Sequence, residues 1–185
     1  MLDTHACGWF ALQTVSGKEG AVAVILEGKA YEVFLPLYER RRQWADRVKK
    51  VLKPLFPGYL FCRVGPEARG RIVTTPGVIR IVGFGNSPAR IDDEEVEAIR
   101  RITESGLPAE PCPPLREGER VRIEQGPLQG LEGTFVRSGS QHQLVVTVRL
   151  LQRAVAVGVD RDWVRSCEDE VSDEPRLTAE WSPLS

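Results

Sequence analysis

Residues Leu107-Pro108-Ala109-Glu110-Pro111-Cys112-Pro113-Pro114 hold four prolines and split this 185-residue chain in two. A proline ring fixes φ and removes a backbone donor, so such a run denies the chain a helix and breaks strand hydrogen bonding. It reads as a semi-rigid linker over 108–114, and it sets a boundary between domains at 1–107 and 115–167. Before it, helical and strand patterns alternate; after it, only short strands follow.

In the first half, Trp9-Phe10-Ala11-Leu12-Gln13-Thr14-Val15 carries apolar residues on both faces, the pattern of a buried strand. Ser16-Gly17-Lys18-Glu19 has capping-box spacing and predicts a helix to about Gly28, with Val22, Val24, Ile25 and Leu26 as its inner face. Strands are expected at Tyr31 to Leu37, Gly58 to Val64 and Gly77 to Gly83. A short helix should open at Pro66 and reach about Thr74. Asp92 and Glu95 repeat the capping-box spacing before a helix whose stripe is Val96, Ile99 and Ile102. Between these elements, Arg40 to Pro54 reads as a protruding hairpin or arm that turns near Ala45-Asp46. The economical arrangement is an antiparallel sheet with helices against it, an α+β domain.

In the second half, strands are expected at 120–124, 131–137, 143–150, 153–159 and 162–165. Five short strands in about fifty residues suggest a small closed barrel, because closure removes exposed edges. Gly126, Gly130 and Gly133 punctuate the first turn, and Val145, Val146, Val148, Val155, Val157 and Val159 favour strands over helix. From Glu168 onward six acids stand against Arg176 alone, a loose acidic tail over 168–185.

The net charge is -1, so the molecule as a whole is no generic nucleic-acid binder. The charge is unevenly placed: between positions 39 and 53, seven cations face two acids. A local patch of this kind is what meets phosphate. The four cysteines, Cys7, Cys62, Cys112 and Cys167, form no C-x-x-C pair, and with two histidines no metal site is expected. They read as thiols of a reducing compartment. No apolar run is long enough to cross a bilayer, and Met1 to Gly8 lack a signal-peptide pattern, so a cytoplasmic protein is expected.

Several stretches, in order, resemble the NusG family of transcription factors. They are Trp9-Phe10-Ala11-Leu12 with the Ser16-Gly17-Lys18-Glu19 turn; Phe56-Pro57-Gly58-Tyr59, similar to the family's F-P-G-Y signature; and Thr75-Pro76-Gly77-Val78 with Ile81-Val82-Gly83. Pro88 to Glu95 resembles the lead into the family's last helix, although Ala89-Arg90 depart from its spacing. Val121-Arg122-Ile123 with Gly126-Pro127-Leu128-Gln129-Gly130-Leu131-Glu132-Gly133 resembles a KOW motif. The resemblance covers roughly residues 9 to 166 and implies an N-terminal NGN domain over 1–107 and a KOW barrel over 115–167.

What the resemblance implies can be placed on residues. Aromatic residues near F-P-G-Y dock on the clamp helices of RNA polymerase, which assigns Phe56 and Tyr59, with Trp9 nearby. Core packing is the ordinary alternative for each ring. Residues just before T-P-G meet the non-template DNA strand of the transcription bubble, which assigns Thr74 and Thr75, with Arg71 a turn earlier; helix termination is the alternative for the threonines. The basic arm, with Arg40, Arg41, Arg42, Trp44, Lys49 and Lys50, either tracks nucleic acid or is a solvated hairpin. Leu150, Leu151 and Arg153 lie at a strand-to-strand turn that is either a recruiting surface or a tight turn folded over the barrel's end.

The phrasing Phe34-Leu35-Pro36-Leu37-Tyr38 and Leu150-Leu151-Gln152-Arg153 is similar to the specialised UpxY and RfaH type of operon-dedicated antiterminator. Housekeeping members show phenylalanine-glycine-arginine where this chain has Leu151-Gln152-Arg153, and their contacts with Rho and the ribosome use that turn. The rivals are therefore a general NusG and, from another class, a KOW-type RNA-binding translation factor. No cofactor and no catalysis are expected, and a monomer is. Gly17-Lys18 after a strand has the outline of a phosphate loop, but Leu12 and Glu19 stand where that motif needs glycine and a hydroxyl residue. His5 and His142 have no nucleophile constellation around them, and Asp92-Asp93-Glu94-Glu95 suits a helix start.

Overall fold

A computed structural model describes residues 7–44, 47–113, 118–138 and 141–167. The expected acidic tail and the hairpin turn at Ala45-Asp46 lie outside the described residues.

Strand β1 (Gly8–Thr14) is buried at every position but one. Its alternate residues serve two layers. Phe10 and Leu12 pack with Val22, Ala23 and Leu26 of helix α1 (Glu19–Gly28), whereas Trp9 and Ala11 join the cluster on the opposite face. A strand apolar on both faces is a central strand, and helices cover the sheet on both sides of it.

Helix α1 begins later than the cap spacing implies. Lys18 occupies the N-cap with no side-chain hydrogen bond, so Ser16 caps nothing. The inner face also differs from expectation: Val22, Ala23 and Leu26 are buried, but Val24 and Ile25 are exposed. Residues 22, 23 and 26 centre on one face; 25 lies at its edge, and 24 lies on the opposite side of the helix.

Next come β2 (Glu32–Phe34), then β3 (Leu37–Trp44) and β4 (Arg47–Pro54), which form a separate two-stranded ribbon of eight paired positions. After β5 (Tyr59–Val64), a 3-10 turn at Pro66–Ala68 leads into helix α2 (Arg69–Val73) and strand β6 (Val78–Ile81). A hairpin that the sequence did not announce follows, β7 (Gly83–Phe84) with β8 (Ser87–Pro88). Its strands cross so closely that a Cβ on Gly83 would overlap the Ser87 carbonyl oxygen. The main sheet runs β2-β5-β1-β6, with each neighbouring pair antiparallel.

Helix α3 (Asp93–Glu104) covers the face opposite α1, burying Val96, Ala98, Ile99 and Ile102. Asp92 stands at its N-cap but makes no side-chain cap bond. In place of the expected capping box, Glu95 reaches across the molecule to Arg149.

The C-terminal part is all-β: β9 (Ala109–Cys112), β10 (Glu119–Ile123), β11 (Glu132–Ser138), β12 (Gln141–Val148), β13 (Arg153–Gly158) and β14 (Val164–Ser166). Their order is β14-β10-β11-β12-β13-β9. One apolar cluster takes Val121 and Ile123 from β10, Leu144, Val146 and Val148 from β12, and Val155 and Val157 from β13.

Two expectations need correction here. The proline-rich stretch is not a free linker: β9 pairs antiparallel with β13, Pro111 opposite Val155, and the Gly158 N–H donates to the Pro108 carbonyl at 3.0 Å. Proline is tolerated because β9 is an edge strand, where a missing donor can face outward. Nor are the two cores separate. The cluster that holds Trp9, Phe56, Phe61 and Ile99 is continuous with the one that holds Val146 and Val155.

Candidate functional site

Two tight turns with the same Pro-Gly centre flank the end of β1. In Phe56-Pro57-Gly58-Tyr59 the Tyr59 N–H donates to the Phe56 carbonyl at 3.0 Å, and Gly58 has φ +82°. In Thr75-Pro76-Gly77-Val78 the Val78 N–H donates to the Thr75 carbonyl at 3.0 Å, and Gly77 has φ +92°. Proline second and a positive-φ glycine third are the demands of a type II turn. Consecutive residues at the end of β1 tie both turns down: Thr14 N–H donates to the Gly58 carbonyl at 2.8 Å and Val15 N–H to the Gly77 carbonyl at 2.9 Å.

The aromatic candidates are placed unequally. Phe56 is 1% exposed and meets Phe61 edge to face at 5.5 Å between centroids. Trp9 is 5% exposed, with the Arg100 guanidinium 5.7 Å from its ring; that guanidinium also lies over Phe34 and pairs with Glu32 and Glu97. Both rings are core in this arrangement, the alternative weighed against the docking role that the resemblance assigns to them. Tyr59 alone of the three is half-buried, and the guanidinium of Arg153 lies 5.3 Å from its centroid.

At the second turn Arg71 and Thr74 are exposed, and the Thr74 hydroxyl donates to the carbonyls of Gly70 or Arg71 at 3.2 and 3.1 Å. Thr75 is different: it is 2% exposed, donates to the Arg71 carbonyl at 3.1 Å and accepts from Lys29 Nζ at 2.8 Å. Its hydroxyl is committed inward, so Thr75 does not lie on a nucleic-acid surface as expected.

The ribbon sorts its charges by register. Tyr38 pairs with Lys53 and Arg40 with Val51; between them, Glu39 pairs with Leu52. Directly opposed residues share a face and successive pairs alternate. Exposed Arg40 and Lys53 therefore lie on one face, while Lys50 on the other is bonded to Glu39 at 2.8 Å. Farther out, the ladder pairs Arg41 with Lys50, Arg42 with Lys49 and Trp44 with Arg47. A cleft of about 1490 Å³ separates the ribbon from the barrel, and its lining mixes Glu39, Glu110 and Asp160 with Arg40 and Lys50, so it is no basic groove.

The barrel rim turns over the first domain. Arg149–Leu151 is a 3-10 turn ended by Gln152 in the left-handed region at φ +50°, braced by Gln152 Nε2 donating to the Arg149 carbonyl at 2.8 Å. Leu150 and Leu151 are half-buried against the shared core. Arg149 meets Glu95 twice, by an ion pair at 3.7 Å and by its backbone N–H to Glu95 Oε2 at 3.4 Å. Burial raises the Glu95 carboxyl above its ordinary value, and Asp92 adds to the rise; the hydrogen bond and charge of Arg149 oppose it. The structure thus brings Tyr59 and Arg153 together, two residues read from the sequence as parts of separate surfaces.

Sequence reasoning missed Glu19. Its carboxylate is 4% exposed and accepts the Gly58 N–H at 2.7 Å, thirty-nine residues away. The Ser-Gly-Lys-Glu spacing drew attention to Glu19 for the wrong bond. Elsewhere, Cys62 lies fully buried in the sheet, its thiol pushed up to about 12 mainly by desolvation. Among the described residues no group of three or more His, Cys, Asp or Glu could hold a metal ion, and no helix is long and apolar enough to cross a membrane.

Known proteins resemble this chain in sequence and in fold. A family model described as transcription termination factor nusG matches residues 8–100. The transcription termination/antitermination protein NusG of Thermus thermophilus is 30% identical over 175 residues, covering 82% of this chain and 94% of that protein. Its counterpart in Escherichia coli is 30% identical over 168 residues, covering 82% and 92%. A solved structure on domain interaction in Thermotoga maritima NusG superposes with a TM-score of 0.56 at 22% identity, over 88% of this chain and 98% of that one.

Proposed function

Because this chain belongs to the NusG family of transcription termination and antitermination factors, we propose that it binds the clamp helices of transcribing RNA polymerase through the face around Tyr59. Arg71 and Thr74 then meet the non-template strand, and the Arg40 and Lys53 face of the ribbon lies along nucleic acid. The factor bridges the polymerase cleft in the cytoplasm and changes pausing by favouring one state of the enzyme, with no chemistry of its own.

One observation carries this reading. The two Pro-Gly turns, which by family resemblance face polymerase and DNA, hang from consecutive residues at the end of one buried strand. Strand β1 therefore holds the two surfaces in fixed relation, as a factor touching both the clamp and the bubble requires.

The barrel sits on the face assigned to polymerase, so it must leave before Tyr59 can be used. The polar contacts that hold it are modest: an exposed cation–π contact contributes about 0.5–1 kcal/mol and a partly exposed ion pair about 0–1 kcal/mol. Burial of Leu150 and Leu151 supplies the rest. Polymerase and whatever partner the rim serves would each favour the undocked form, so each would help the other bind.

The Leu151-Gln152-Arg153 turn favours an antiterminator dedicated to selected operons. The 30% identity to general NusG proteins over 82% of the chain favours the housekeeping reading, with Rho or the ribosome as the barrel's partner. Single-round transcription with purified polymerase tests the proposal. Altered pause lifetimes on every leader support the general factor, and altered lifetimes on a subset support the dedicated one. No change on any leader, with no co-migration with elongation complexes at low salt, refutes both.

A further inference from the structure

We propose that Glu19 is the positioning residue of the polymerase-binding turn, holding the Pro57–Gly58 peptide beside Tyr59 in one of its two orientations. This rests on the reading that the face around Tyr59 meets polymerase.

A carboxylate without a partner is costly to bury, and Glu19 is one of few polar side chains buried among the described residues. Two things offset the cost. The Gly58 N–H donates at 2.7 Å, the short distance of a charge-assisted bond. Glu19 is also the first residue of α1, where the free N–H groups and the helix dipole favour negative charge.

The bond falls on the one peptide that distinguishes turn types. A type II turn becomes type I when its central peptide, here Pro57–Gly58, flips over. As observed, that peptide aims its N–H at Glu19. Flipped, it would aim the Pro57 carbonyl oxygen at a buried carboxylate, oxygen against oxygen. Pro-Gly allows either orientation, since proline suits the second position of both types. The neighbouring groups are already committed, Gly58 carbonyl to Thr14 N–H and Tyr59 N–H to Phe56 carbonyl. Glu19 therefore selects type II, and with it which side of the Pro57–Gly58 peptide is turned outward beside Tyr59.

The test uses the full chain and three variants, Glu19→Ala, Glu19→Gln and Tyr59→Ala. Hydrogen exchange of the Gly58 amide and affinity for reconstituted elongation complexes are read on each. Glu19→Ala is expected to speed Gly58 exchange about tenfold, the scale of one charge-assisted bond removed, and to weaken polymerase binding several-fold. Glu19→Gln keeps an acceptor oxygen and should restore most of both, a rescue that a general packing role would not give. Gly58 exchange unchanged in Glu19→Ala overturns the inference, as does Glu19→Gln behaving like Glu19→Ala. Should Glu19→Ala fail to fold, Glu19→Asp takes its place: its carboxylate stands one methylene short of the Gly58 amide, so faster Gly58 exchange with an unaltered melting transition supports the inference, and unchanged exchange overturns it. Full polymerase affinity in Tyr59→Ala instead refutes the interface reading, and it leaves Gly58 exchange to report separately on whether Glu19 holds the turn.

Discussion

The guanidinium of Arg153 lies 5.3 Å from the centre of the Tyr59 ring, so the barrel rim rests on the turn through which the first domain is proposed to act. Arg153→Ala should loosen that rest and raise affinity for elongation complexes about two- to fivefold, the size of an exposed cation–π contact. Titration of labelled protein with elongation complexes measures it. Unchanged or lower affinity would mean the barrel does not compete for this face.

Folding stability should respond to pH through Glu95. Its pKa in the folded protein is raised, chiefly by burial, with the Arg149 contacts opposing the rise. A raised folded pKa gives stability that is complete below the ordinary carboxylate value and is lost as pH rises through the raised one. Through this group the fold should be more stable in mild acid than at neutrality, and Glu95→Gln should flatten that dependence. Urea denaturation across the carboxylate range would show it.

Phe56→Ala should destabilise the fold by about 3–5 kcal/mol, the usual cost of emptying an aromatic core site. Tyr59→Ala should cost far less, because its ring is only half-buried. Urea denaturation of the two variants separates a core ring from an interface ring.

The adjacent threonines should part company. Thr75→Val strips a buried hydroxyl that serves Lys29 and the Arg71 carbonyl, and should cost about 1–3 kcal/mol of stability. Thr74→Val should leave the melting temperature near wild type and weaken binding to bubble DNA. Melting curves paired with a DNA-binding assay resolve the two.

On the ribbon, Arg40→Ala and Lys53→Ala should each lower the salt dependence of bubble-DNA binding, by about 0.7 in slope for each single-strand phosphate that the side chain neutralises. Lys50→Ala should do less, since Glu39 already neutralises Lys50. A salt titration in which all three slopes equal wild type would remove the ribbon from the nucleic-acid path.

What could be read from residue order was local. The run from Trp9 to Val15 announced a two-faced buried strand, and the two Pro-Gly pairs announced turns whose hydrogen bonds the fold makes. What escaped depended on residues far apart in the chain. Glu19 has capping-box spacing from Ser16, yet a bond to Gly58 won because it satisfies a buried amide, while a cap at Ser16 would face water. Pro111 argued against a strand, yet an edge position next to β13 accepts it. For Phe56 the sequence left interface and core both open, and the choice depended on a cluster that includes barrel residues ninety and more positions away.

Because β9 is sewn onto β13, the proline-rich stretch travels with the barrel, and the joint shrinks to the few residues between Glu104 and Ala109, where Gly106 has φ +71°. So short a leash keeps the released barrel within a small radius, at an effective concentration on the order of millimolar. Release would then be brief and recapture fast unless something else takes the vacated face. The factor would let go of its own barrel only for as long as polymerase stays.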